Sequence, residues 1–101
     1  MTTTNYQIIY WRDIPAQVKV KTGRTRLSRQ LPERFEQAID RAAMHSGAIN
    51  SDDYLAEWRH SDWQEREGEL ENVADALVAE LDAAFPQDDL RTIARNGGRK
   101  L

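Results

Sequence analysis

At 101 residues and a formal net charge of −3, the chain has the size of one domain and can bury a single modest core. It contains no cysteine, which excludes a disulfide framework, a thiolate metal site, an iron–sulfur cluster held by its own thiolates and a cysteine nucleophile. The composition, 40% hydrophobic and 31% charged, is that of a globular chain, and no segment approaches the roughly 18 apolar residues of a membrane span.

The start, MTTTNYQ, has neither a basic n-region nor an apolar run of signal length, so a cytoplasmic setting is expected. The net charge conceals a division. Residues 12 to 34 sum to +5, residues 36 to 89 to −12, and the stretch from Leu90 onward to +4. One end is basic and the body is acidic.

Met1 to Thr4 is expected to fray. Tyr6 to Trp11, YQIIYW, is β-branched and aromatic and reads as the strongest strand, with Tyr6, Ile8 and Tyr10 on one face and Ile9 and Trp11 on the other. Pro15 offers no ladder N–H, so a turn or bulge is expected at Asp13 to Pro15. Gln17 to Lys21 and Arg24 to Gln30 form a hairpin signal around Thr22-Gly23. That turn sets Lys21 opposite Arg24 and Lys19 opposite Arg26, an arrangement of like charges that costs a few tenths to about 1 kcal/mol per pair.

Pro32 suits the first turn of a helix, Glu33 and Glu36 favour its positive end, and Phe35, Ala38, Ile39 and Ala42 fall on one stripe before Gly47. A helix over 32–46 follows. A second runs from about Glu69 to Phe85, carrying Leu70, Val73, Ala74, Leu77, Val78, Leu81 and Phe85, and ends at Pro86. Leu77, Val78, Leu81, Ile39 and Phe35 are expected to bury Val18 and Val20. Between the helices, 51–67 fits either a helix capped by Ser51 or a strand through Tyr54, Ala56, Trp58 and His60; the strand is the preferred reading. Residues 1–86 form the expected domain. From 87 to 101 a mobile C-terminal tail is expected, with one helical turn at Asp88 to Arg95.

Chemistry is sparse. His45 and His60 lack a metal-ligand spacing, no phosphate-binding glycine loop is present, and the serines beside them are only sequence neighbours. No catalytic residue, metal or cofactor is expected. The candidate binding residues are Trp11, Arg12, Lys19, Lys21, Arg24 and Arg26, a basic hairpin with aromatic edges suited to an acidic partner or an anion. The −12 body argues against nucleic acid. An acidic second helix beside a basic hairpin also gives complementary surfaces for a homodimer.

The run Tyr10-Trp11-Arg12-Asp13-Ile14-Pro15-Ala16-Gln17-Val18, with Leu31-Pro32-Glu33-Arg34-Phe35 and Tyr54-Leu55 to Trp58, resembles a small bacterial family labelled "virulence factor". The resemblance covers about residues 5 to 86, and the same unit resembles a segment of conserved virulence factor C proteins. Its core marks a family and is no catalytic motif. It implies an accessory or docking module, found beside enzymes of folate and corrinoid one-carbon metabolism. The expectation is an α+β domain, a mainly antiparallel sheet of three or four strands with two helices on one face, acting as a non-catalytic interaction module. A small-ligand or anion-binding protein is the alternative.

Overall fold

The computed structural model describes residues 2–48 and 52–100. The chain is an α+β fold: β1 (Thr3–Trp11), β2 (Ile14–Thr22), β3 (Thr25–Gln30), α1 (Glu33–Ser46), α2 (Asp52–Ala56), β4 (Trp58–His60), β5 (Gln64–Glu67), α3 (Leu70–Ala84) and α4 (Gln87–Arg95). The strands form one antiparallel sheet in the order β3-β2-β1-β4, with β5 also paired to β1. β1 is therefore central, as its β-branched and aromatic run implied. The segment 51–67 contains both readings in succession, a short helix and then two strands; its proposed cap, Ser51, lies outside the described residues.

β1 begins earlier than expected. Thr3 and Thr4 do not fray but pair with Glu67 and Arg66. Thr4 is fully buried, and its hydroxyl donates to the Gly68 carbonyl at 2.8 Å. A polar side chain with a partner can be buried at little cost.

Two corrections follow from register. Thr22 pairs with Thr25, so Gly23 and Arg24 make the turn, and Lys21 faces Arg26 while Lys19 faces Ser28. One like-charge pair remains where two were expected. At the other end of β2 the register slips between Ile9 opposite Gln17 and Tyr10 opposite Pro15, leaving Ala16 as the extra residue of a bulge. The Ala16 carbonyl accepts the Leu31 N–H, at 3.1 Å, which ties the entry of α1 to the bulge.

The core divides in two. Val18 and Val20 pack with Val73, Ala74 and Leu77 of α3. Trp11 and Ile14 pack instead with Phe35, Ile39 and Ala42 of α1 and with Leu90, Ile93 and Ala94 of α4. Phe35 and Ile39 thus belong to a second cluster and do not cover Val18 and Val20; Val78 and Leu81, half-buried, touch both clusters.

The C-terminal segment is part of the domain and not a tail. Leu90, Ile93 and Ala94 repeat at helical spacing and are buried, and α4 packs along α1. Nine residues with three apolar positions are too few to announce a packed helix in a stretch otherwise polar.

Candidate functional site

The six candidate residues separate into two places. Trp11 is fully buried, and its indole N–H donates to the Tyr54 carbonyl at 2.8 Å. Arg12, in the left-handed region at φ 52°, is half-buried. Its Nη1 donates to the Gly97 carbonyl at 2.7 Å and Nη2 lies 3.5 Å from Glu57. The Asp13 N–H donates to the Gly98 carbonyl, and the Asp13 carboxylate accepts the Lys100 N–H at 2.7 Å. Arg59 adds a bond from Nε to the Arg12 carbonyl at 2.9 Å. The Trp11-Arg12-Asp13 turn is thus a knot joining β1, β4 and the C-terminal residues, and Trp11 is closed to any partner.

Lys19, Lys21 and Arg26 do share a surface. They project from β2 and β3 on the face opposite Val18, Val20 and Leu27, whose side chains point to α3. Arg24 stands in the adjoining turn. Across the sheet the order is Arg26, Lys21, Asn5, Glu65. Glu65 is two strands from Lys21, roughly 10 Å at ordinary strand spacing, too far for an ion pair. The next row is Ser28, Lys19, Gln7.

One aromatic ring completes this face. Between β4 and β5, Ser61 keeps contact with β1: its N–H donates to the Ile8 carbonyl at 2.9 Å and its Oγ accepts the Ile8 N–H at 3.0 Å. Gln7 Nε2 donates to the Ser61 carbonyl at 3.0 Å and lies 3.1 Å from His60 Nδ1. This arch carries Trp63 over the face, where the Lys21 ammonium sits 4.0 Å from its ring centroid. The contact contributes about 0.5–1 kcal/mol at an exposed site and offsets the repulsion of Arg26. Trp63 remains 40% exposed.

Ion pairing sets these cations apart. Arg12, Arg29, Arg34, Arg59, Arg66, Arg91 and Arg99 each have a carboxylate partner. Asp75, Glu80 and Asp82 of α3 are taken by Arg29, Arg66 and Arg34, so α3 offers less free negative charge than its sequence suggests. Among the described residues no carboxylate pairs with Lys19, Lys21, Arg24 or Arg26. Among the described residues Arg41, Arg95 and Lys100 are likewise without a carboxylate; Arg95 lies in the last turn of α4, where the helix dipole favours a cation, and the Lys100 ammonium sits 4.6 Å from the Phe85 ring centroid.

The profile of the virulence factor family matches residues 9–94. The chain belongs to the virulence factor family. The match runs from the last three residues of β1 through nearly all of α4, so this virulence factor domain includes the helix that the sequence alone left as a tail. No curated protein and no solved structure matches the chain. Among the described residues no group of acidic or histidine side chains could hold a metal ion, and no helix is long and apolar enough to cross a membrane.

Sequence reasoning missed two things at this surface. It gave Trp63 no partner, although its polar neighbours did mark it as exposed. It also left unnoticed a groove at the Gln30 end of β3, lined by Tyr54, Trp58 and acids of α1.

Proposed function

We propose that this virulence factor protein is a non-catalytic interaction module whose open sheet face, Lys19, Lys21, Arg24, Arg26 and Trp63, docks an acidic surface of a protein partner. The observation that carries the reading is selective pairing. In a chain with more acids than bases, seven arginines find carboxylates while these four neighbouring cations have none among the described residues. Within the fold the repulsion between Lys21 and Arg26 is offset by the Trp63 ring and by no carboxylate, which leaves a positive face that an acidic partner complements.

The shape of the face favours a protein over a small anion, because small-ligand sites are concave and a pleated sheet surface is not. The family resemblance supplies the partner class, an enzyme of folate or corrinoid one-carbon metabolism to which this chain is an accessory subunit. A cytoplasmic setting accords with the cysteine-free sequence.

The test is co-purification from the native host with tagged wild type and with the variant Lys19→Gln/Lys21→Gln/Arg24→Gln/Arg26→Gln, followed by reconstitution with the purified partner. The reading expects a one-carbon enzyme with wild type and its loss with the variant. Equal recovery with both would place the interface elsewhere.

A further inference from the structure

We propose that the groove between α1, α2 and β4 is a second docking site, one that takes an arginine-bearing extended segment of a protein partner. The groove has a volume of about 490 Å³ and is lined by Ala16, Leu31 and Ile39 below, Tyr54 and Trp58 on one wall, and Glu33, Glu36 and Asp40 along α1 on the other. Among the described residues no cationic side chain lines it.

The aromatic wall is fixed in place. Trp11, immobile in the core, lies 5.8 Å from the Tyr54 ring, and Tyr54 meets Trp58 edge-on at 6.1 Å. Trp58 is nevertheless 37% exposed. A rigid indole held open at the end of a packed aromatic row presents its surface at little entropic cost.

The acidic wall is free. Glu33, Glu36 and Asp40 form no ion pair among the described residues, in contrast to Asp75, Glu80 and Asp82 of α3. Their spacing, three and then four residues apart, places them on one helix face as like-charge neighbours, which weakens a helix by about 0.2–0.5 kcal/mol per pair. The positive end of α1 accounts for Glu33 and Glu36. It does not account for Asp40, two turns in. The field of these acids reaches the opposite wall: the Tyr54 phenol is raised above its usual range, chiefly by burial and then by Asp40 and Glu36.

Charge complementarity selects the occupant. An apolar floor receives an aliphatic stem, an indole and a phenol receive the face of a planar cation, and the carboxylates receive its N–H groups. Arginine meets all three requirements, since its guanidinium stacks on aromatic rings and donates in a fork to carboxylates. Gln30, which also lines the groove, alternates with Ser28 and Arg26 on β3, so the groove borders the far end of the open sheet face, but it shares none of the residues proposed to dock there.

The experiment follows the indole N–H resonance of Trp58 while an acetylated, amidated Gly-Arg-Gly-Arg-Gly peptide is added to the whole chain. The same peptide with citrulline for arginine, and free agmatine, are the comparisons. The proposal expects a saturable shift of Trp58 with the arginine peptide and none with the citrulline peptide. It expects agmatine to bind at least tenfold more weakly, and the peptide affinity to fall at least tenfold in Glu36→Gln/Asp40→Asn. Should that variant fold poorly, Glu33→Gln/Glu36→Gln makes the same comparison without touching mid-helix. No shift at millimolar peptide, equal binding of the citrulline peptide, or affinity unchanged by neutralising the acids would overturn it. Agmatine binding as tightly as the peptide would overturn the peptide assignment in favour of a free organic cation.

Discussion

Arg12 donates from Nη1 to the carbonyl of Gly97 at 2.7 Å, across 85 residues of sequence. This bond and the two that Asp13 makes with Gly98 and Lys100 close the chain on itself. They give the Trp-Arg-Asp run a structural meaning: it is the fastening of the domain, and its lack of any catalytic pattern is consistent with that.

Breaking the fastening is therefore costly. Arg12→Ala removes a charged hydrogen bond to a carbonyl and the Glu57 pair, for about 1.5–3 kcal/mol. Gly98→Ala forces a Cβ to within 2.9 Å of Trp11 Cζ3 at φ 93° and destabilises by more than about 1 kcal/mol. Urea denaturation of the two variants measures both. Removing the segment after Pro86 exposes Trp11 and the apolar face of α1, and the truncated chain is expected to lose cooperative unfolding.

The two halves of the core are expected to answer alike. Leu77→Ala and Leu90→Ala each delete a large side chain from a buried site, at roughly 2–5 kcal/mol. A denaturation midpoint unmoved by Leu90→Ala would return α4 to the status of a tail. One unmoved by Leu77→Ala would remove α3 from the core.

Acid and alkaline limits have separate sources. Arg66 hydrogen-bonds Glu80 and holds its carboxyl below the usual range. A lowered carboxylate stabilises the fold above its unfolded-state value, and that contribution disappears as pH falls through the folded value. Tyr10 moves the other way: burial raises its phenol against the opposing charge of Arg59, with Tyr6 adding to the rise. Its contribution is complete below the unfolded phenol value and is lost as pH rises through the folded one. Thermal midpoints against pH should therefore lose part of their acid slope in Glu80→Gln and part of their alkaline slope in Tyr10→Phe.

Much of the fold was legible because periodicity and punctuation agreed. Pro32, the Phe35 stripe and Gly47 delimit α1 nearly to the residue, and Pro86 follows α3 as expected. The hairpin turn lies one residue later than expected, which moves every cross-strand partner by two. Both Thr22-Gly23 and Gly23-Arg24 make a two-residue turn around the same glycine, and only pairing across the strands distinguishes them. The site was half legible. Lys19, Lys21, Arg24 and Arg26 do cluster, but Trp11, placed among the binding residues, is buried, and the bulge at Ala16 and the covering α4 that bury it are set by tertiary packing. Trp63 reaches Lys21 through the arch at Ser61, a contact between residues 42 apart that no local pattern encodes.

The most direct test of the docking face is the association rate of the reconstituted partner complex, for wild type and the fourfold Gln variant, at low and at high salt. Steering by exposed cations acts mainly on association and is screened by salt. The fourfold variant should keep its stability to within about 1 kcal/mol, since loss of the Lys21–Trp63 contact and relief of the Lys21–Arg26 repulsion nearly cancel. Its association rate at low salt should fall at least tenfold and should lose its dependence on salt. A folded variant that associates at the wild-type rate, with the wild-type salt dependence, would contradict the account.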